Sequence, residues 1–377
     1  MITEKTKIWL SSPHMGGQEE WYVKQAFDTN WIAPLGPNVN LLEDKIAAFL
    51  HEDVEVAAVS SGTAAIHLAL ILLGVSNGDD VLCQSFTFSA SANPILYQGA
   101  NPIFVDSEKH SWNICPDLLE EAIVERIKKG KKPKAIIAVH LYGIPYDALR
   151  INKISKKYDI PVIEDSAEAL GSSYLGIKCG TLGDFSILSF NGNKIITTSG
   201  GGALISKSKK MKEKAIHLAT QARDDAPHYQ HSKTGYNYRM SNVVAGIGCG
   251  QMEVLSERIA QRRRNYQFYK EQLEVLPRIS FLEEKEGVFS NRWLTTVLFD
   301  SFYTRELVRT ELLKDNIESR PLWKPMHLQP VFAESSAYVN GVSQDLFERG
   351  LCLPSGSNLE EADLFRITNL IKNTLQK

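Results

Sequence analysis

A chain of 377 residues with 43% hydrophobic side chains can bury a large core and has room for two domains, so an enzyme-sized α/β protein is the ordinary expectation. Its formal charge of −2, from 42 basic and 44 acidic residues interspersed along the chain, argues against a nucleic-acid partner recognised by bulk electrostatics. Five scattered cysteines without a C-x-x-C pair suggest neither a disulfide framework nor a zinc site and read as small buried hydrophobes.

The first residues, Met1 to Lys7, lack the apolar core of a signal peptide. The longest apolar stretch, Ala64 to Val75, is broken by His67 and too short to span a bilayer, so a cytoplasmic protein without a membrane partner is expected. Strands are predicted near 54–59, 80–84, 102–105, 135–139 and 160–164, alternating with helices near 63–73, 116–129 and 147–158. That is a βαβ rhythm and implies a mainly parallel sheet.

Several turns of this rhythm carry chemistry. Val54–Val59 leads through Ser60, Ser61, Gly62 and Thr63 into a helix. Such a turn can cup an anion, because first-turn N–H groups and the helix dipole favour phosphate, Gly62 lets the backbone approach and Thr63 adds a hydroxyl. Ser and Thr are also ordinary helix caps. Phe88, after the strand at 80–84, reads as a stacking ring or as core. Arg126 to Lys134 reads as a solvated helix end, and His140, ending Ala135–Val139, either lines a cleft or is a satisfied structural histidine. The strand at 160–164 runs into Asp165, where open α/β sheets bind ligands. Asp165 can pair with a pyridinium there, or cap a helix starting near Ala167.

Phe185–Phe190 then reads as a strand, Asn191-Gly192-Asn193 as a turn, and Ile195–Thr198 as resumed β structure, so a tight turn presents Lys194. A lysine beside a hairpin is commonly a solvated charge. Its partners change that reading. Pyridoxal phosphate (PLP) demands an amine for a Schiff base, a carboxylate for its pyridine nitrogen, an anion cup and a surface for its ring, and Lys194, Asp165, Ser61–Thr63 and Phe88 are candidates for each.

Beyond Lys194, His228 and His231 lie in a polar stretch without nearby thiolates, and no metal site is expected. A long helical pattern from Ser241 to Leu276 would bridge to a second domain, with Arg262–Arg264 read as solvated charge. Arg292–Phe299 reads as a strand and Thr304–Asn316 as a helix.

Together these segments resemble the DegT/DnrJ/EryC1/StrS family of sugar aminotransferases. The resemblance rests on Thr29 to Pro37, Ser61-Gly-Thr-Ala-Ala65, Thr87-Phe88, Glu164 to Gly171, Ser189 five residues before Lys194, and Gly235 to Met240. It implies fold-type I: a large α/β/α domain (1–250) with a mainly parallel seven-stranded sheet and a substrate-lining N-terminal segment, and a smaller C-terminal α/β domain (251–377). By resemblance Lys194 carries the Schiff base and Asp165 meets the pyridine nitrogen. Ser61, Gly62, Thr63, Phe88, Glu168 and Ser189 would hold PLP or its pyridoxamine form. Asn237 would reach the phosphate bound by the partner subunit of a homodimer with shared sites.

Glu168 stands where the family commonly has glutamine, and Ser199-Gly200 replaces a frequent Gly-Glu pair. With Pro13–Gly17, Asn191–Gly202 and Ser319–Pro330, these features resemble the C4 aminotransferases that make UDP-N-acetylbacillosamine precursors. Those enzymes move the amino group of L-glutamate to a UDP-linked 4-keto-6-deoxy-N-acetylhexosamine. For the sugar, Asn30, Trp31, Ile32 and Ala33 would line the hexose site, and Arg239 would meet the diphosphate across a subunit boundary. Arg320, Trp323, Lys324 and His327 would close over the substrate from the small domain. Trp31 and Trp323 read alternatively as packing residues. Related PLP sugar dehydratases carry histidine at the lysine position, which Lys194 argues against. The complete lysine, aspartate and cup set argues against a catalytically silent nucleotide-sugar-binding relative.

Overall fold

Eight strands form the larger sheet of the computed structural model, which describes residues 5–50 and 53–376. Their spatial order is Glu55–Val59, Gly202–Ser206, Phe185–Ser189, Val162–Asp165, Ala135–Val139, Asp80–Gln84, Asn101–Val105 and Ala337–Tyr338. Gly202–Ser206 runs antiparallel to both neighbours, and the other pairings are parallel. The seven expected strands are therefore joined by an eighth, Ala337–Tyr338, two residues long and too short to leave a periodic signal. Every residue of Asp80–Gln84 and Ala135–Val139 is buried. Helices cover both faces, so these strands read as near-continuous apolar runs without alternation.

A second, antiparallel sheet orders Ile279–Phe281, Thr295–Phe299, Gly350–Leu353 and Arg320–Pro321. Its core gathers Val297, Leu312, Leu351 and Ile367, and takes Ile8 from the opposite end of the chain, where Ile8 bridges Ile317.

Two local readings differ from the structure. Ile195–Thr198 is not a strand, because Thr198 N–H returns to Phe190 O, Thr197 N–H is drawn to Gln251 Oε1 and Ser199 turns the chain at φ +72°. The β structure resumes only at Gly202. The pattern at 241–276 forms two helices, Asn242–Glu253 and Leu255–Leu273, broken where Val254 leaves helical geometry at ψ 4°.

Candidate active site

The helix Gly62–Leu72 starts at the C-terminal edge of the large sheet. Ser61 is its N-cap, with Oγ accepting from Ala64 N–H at 3.0 Å. That cap leaves the Gly62 and Thr63 N–H groups, which have no intrahelical acceptor, available to an anion, so the cap and cup readings are compatible. Gly62 packs on the end of the strand Phe185–Ser189, and a Cβ there would lie 3.2 Å from Ser189 Cβ. At Gly202 a Cβ would lie 2.5 Å from Gly62 N, so this close backbone approach needs glycine.

Asp165 ends its strand and is 4% exposed. Its Oδ2 accepts from Ser91 Oγ at 2.7 Å, and Ser91 is bonded to Thr87 Oγ1 at 2.8 Å, so a chain of hydroxyls fixes the carboxylate. Oδ1 accepts from Ala167 N–H at 3.1 Å. No helix follows, however; the cap reading reduces to a local turn, and the carboxylate still faces the cavity.

Lys194 is not a solvated charge, since its side chain is 11% exposed. Its ammonium lies 3.6 Å from Glu168 Oε1 and 4.2 Å from the centre of the Trp293 ring. Glu168 is buried, and its Oε2 accepts from Tyr142 N–H at 2.7 Å. Burial raises its pKa above the ordinary carboxylate range, against the opposing charge of Lys194 and the Tyr142 N–H. Tyr142 sits at φ +53°, a strained position for an aromatic residue and of a kind that concentrates at functional sites. Its ring stacks with Trp293 on one side and Trp323 on the other, and its hydroxyl accepts from Trp323 N–H at 2.8 Å.

These groups share one cavity of about 280 Å³. Ser61, Gly62, Thr63 and Ser189 line it together with Asp165, Glu168 and Lys194, and so do Trp323 and the exposed Phe88. Phe88 is exposed and so is not core. Sequence reasoning missed Trp293, read only as part of a strand, and Tyr142, whose strained backbone leaves no sequence signature. A larger cleft, about 650 Å³, contains neither Lys194 nor Asp165, and Arg150 and Asp117 pair with each other there. Lys194 and Asp165 come together only in the smaller of these two cavities.

The expected sugar-site residues are not brought into this cavity, apart from Trp323. Within its own chain, Arg239 Nη1 is bonded to the Glu43 carboxylate and donates to Ala58 O. Asn30, Trp31 and Ile32 are exposed and Ala33 is half-buried, with Trp31 O and Ala33 O holding Asn242. Arg320 pairs with Glu318. His327 is bonded through Nδ1 to Ser85 Oγ at 2.6 Å, a contact that docks its loop. Lys324 lines an adjoining cleft of about 460 Å³ that shares Thr87, Phe88 and Trp323 with the cavity. Asn237 is exposed, its backbone bridged to Thr220.

Other open readings are resolved. His140 is structural: it is fully buried, stacked on Tyr146 with ring centres 4.3 Å apart, and 2.7 Å from Glu164 Oε1 through Nε2. His140, Glu164 and Cys179 place potential ligand atoms within 4.8 Å of one another. The Glu164 carboxylate, though, is taken up by donors from His140, Ser166, Gly180, Leu182, Gly183 and Ser186. Arg126 is paired with buried Asp80, and Arg262 is buried, so neither is a solvated charge.

A buried amine over an indole, a carboxylate at a strand end and an anion cup, all at one edge of a mainly parallel sheet, define a fold-type I PLP-dependent aminotransferase. The chain belongs to the DegT/DnrJ/EryC1/StrS aminotransferase family, whose profile matches residues 13–372. It is 51% identical to EpsN of Bacillus subtilis, provisionally named a pyridoxal phosphate-dependent aminotransferase, over 97% of this chain and 95% of that one. It is 37% identical to the GDP-perosamine synthase of Escherichia coli O157:H7, over 97% of each chain. Among solved structures, Spr1654 of Streptococcus pneumoniae, provisionally named a sugar aminotransferase, superposes in its PLP form with a TM-score of 0.91 at 27% identity. That superposition covers 98% of this chain and 99% of the other. The same protein is also solved in a PMP form. PLP is the cofactor of the family, and the donor set here fits it: helix N–H groups and hydroxyls for phosphate, Asp165 for the ring nitrogen and Lys194 for the aldehyde.

Proposed function

We propose that this enzyme is a sugar aminotransferase moving the amino group of L-glutamate to C4 of a nucleotide-linked 4-keto-6-deoxy sugar, UDP-2-acetamido-2,6-dideoxy-4-hexulose. The observation that carries the aminotransferase part is the Lys194 ammonium held between Glu168 and the Trp293 ring in the cavity that also contains Asp165. The sugar is supported by the similarity to the GDP-perosamine synthase and to Spr1654, provisionally named a sugar aminotransferase. The UDP-linked N-acetyl sugar is supported by the motifs at Pro13–Gly17 and Ser319–Pro330.

When bound, PLP supplies an electron sink for the pair left behind as the donor's α-proton departs. Lys194 Nζ takes that proton and later returns one, acting as base and then acid. The Asp165 carboxylate holds the proton on the ring nitrogen, and the Ser91–Thr87 hydroxyl chain fixes its orientation. Thr63, Ser189 and the start of the helix Gly62–Leu72 bind the phosphate. Phe88 and Trp323, which line both the cavity and the adjoining cleft that holds Lys324, orient the sugar nucleotide with Lys324. The proposed working form is a cytoplasmic homodimer with sites shared between subunits, each chain divided into a PLP-binding domain (1–250) and a small domain (251–377). Among the described residues, no helix is long and apolar enough to cross a membrane.

The test is a panel of UDP-, dTDP- and GDP-linked 4-keto sugars, with and without a 2-acetamido group, incubated with enzyme, PLP and L-glutamate and read out as amino-sugar product by mass. Preferential amination of the UDP-linked 2-acetamido sugar is expected. A preference for the GDP- or dTDP-linked sugars would overturn the substrate assignment, and no amination of any sugar would overturn the sugar assignment.

A further inference from the structure

Arg262, on the helix Leu255–Leu273, is 1% exposed. Among the described residues no carboxylate is paired with it, and every hydrogen-bond partner it has is a neutral oxygen. Nη1 donates to Trp293 O at 2.5 Å, and Nη2 donates to Ser11 Oγ at 3.0 Å and to Lys194 O at 3.4 Å. Nε, also buried, has no hydrogen-bond partner among the described residues. Burial, followed by the like charge of Arg258, pushes its pKa down, as expected of a cation held without a counter-ion.

Such a group is expensive. A buried charge without an opposite charge costs several kcal/mol, and stability alone would favour an apolar side chain of similar volume. What the guanidinium provides is geometry. Ser11 Oγ donates to Asn193 O at 2.8 Å, and Trp293 Nε1 donates to the same carbonyl at 2.7 Å. The contacts close into a ring: Arg262 to Trp293 O, the Trp293 indole to Asn193 O, Asn193 O to Ser11 Oγ, and Ser11 Oγ back to Arg262. That ring fixes the peptide carrying Lys194 and also the indole face that lies 4.2 Å from its ammonium. The backbone on the N-terminal side, Asn191-Gly192-Asn193, is a turn in which Lys194 N–H donates to Asn191 O at 3.0 Å.

We propose that Arg262 is a positioning residue for Lys194: by bridging the carbonyls of Lys194 and Trp293 and the Ser11 hydroxyl, it holds the amine at the point where it meets the cofactor aldehyde. This rests on Lys194 being the lysine that condenses with PLP, a step in which Nζ adds to the aldehyde carbon and water leaves. A misplacement of about 1 Å suffices to cost about a hundredfold in such a reaction.

The experiment uses apoprotein of wild type, Arg262→Lys, Arg262→Gln, Ser11→Ala and the Arg262→Lys/Ser11→Ala double variant. Each is mixed with PLP, the absorbance of lysine-bound cofactor is followed by stopped flow, and the product is reduced with borohydride and mapped by mass. Equilibrium binding of pyridoxamine phosphate, which has no aldehyde, is measured alongside. An amide has only two N–H donors and an ammonium offers its three from a single nitrogen, so neither reproduces the two-nitrogen fork that meets these oxygens, and both Arg262 variants should load Lys194 at least about tenfold more slowly while binding pyridoxamine phosphate within about twofold of wild type. Ser11→Ala should show a smaller loss that does not add to that of Arg262→Lys, because both residues belong to one ring. Should Arg262→Gln fail to fold, Arg262→Lys and Ser11→Ala decide. Wild-type loading rates in both, or parallel loss of pyridoxamine phosphate binding and thermal stability, would overturn the positioning role. Wild-type protein that carries no reduced cofactor on Lys194 would overturn the Lys194 assignment and this inference with it.

Discussion

Glu168 Oε1 lies 3.6 Å from the ammonium of Lys194, with both side chains largely withdrawn from water. Burial, the larger influence, raises the carboxyl's pKa, and the lysine charge lowers it without cancelling the effect. A carboxyl that binds its proton more tightly folded than unfolded costs stability as pH rises from its unfolded value of about 4.3 through the raised folded one. Glu168→Gln is neutral throughout, so its apoprotein should melt at a higher temperature than wild type at neutral pH. The two should converge in acid. Melting curves across this range check the sign, and a gap that shrinks as pH rises would contradict it.

Asp165→Asn should fold normally, because the amide oxygen can still accept from Ala167 N–H and the amide NH₂ can donate to Ser91 Oγ in place of the bond that Asp165 accepts. What it loses is the negative charge proposed to face the ring nitrogen. Some cofactor should remain bound while turnover falls by several orders of magnitude. Steady-state rates with saturating PLP check this, and a rate within a few-fold of wild type would leave Asp165 as a turn residue only.

Glu164, one residue earlier, should behave in the opposite way to Glu168. Burial alone would raise its pKa, but hydrogen bonding by His140, the charge of His140 and bonds from Gly180 and Ser186 outweigh it and hold it down at about 2. A depressed carboxyl contributes stability that is present above its ordinary value and lost as pH falls toward the folded one. Glu164→Gln should therefore cost about 3 kcal/mol or more at pH 7, since several buried donors lose their acceptor. Urea titrations at pH 7 and in acid should show that difference narrowing as pH falls. An equal deficit at both would point to packing rather than charge.

The parts of the site written in contiguous sequence were legible, and those assembled from distant segments were not. Strand, small-residue turn and helix at 54–73 announce an anion cup because the three elements adjoin. Asp165 and Lys194 could be placed because each follows an apolar strand that must end at the same sheet edge. Trp293 gives no such signal, since its indole meets Asn193 O from 100 residues away. Arg262 reads as one of three solvated arginines until Trp293, Ser11 and Lys194 are brought around it. Glu43, 196 residues before Arg239 in sequence, meets its Nη1, a pairing that no local pattern announces. Ile195–Thr198 carries β-branched residues that favour a strand, and tertiary hydrogen bonds to Phe190 and Gln251 override that preference.

Asn237 provides the test of shared sites. It lies outside the cavity of its own chain, on a segment bridged to Thr220, and its side chain is exposed. If it reaches the phosphate bound by the partner subunit, Lys194→Ala and Asn237→Asp should each be inactive, the first lacking the amine and the second placing a carboxylate beside a phosphate. Mixing them should restore activity. In a heterodimer both lesions fall in one site, and the other combines wild-type Lys194 with wild-type Asn237. With equal amounts and random pairing, about half the dimers are mixed and one site in two is intact in each, so activity should approach about a quarter of wild type if an intact site works alone. Subunit exchange is confirmed by native mass spectrometry of differently tagged chains. Exchange without recovered turnover would mean that Asn237 serves its own chain's cofactor or none.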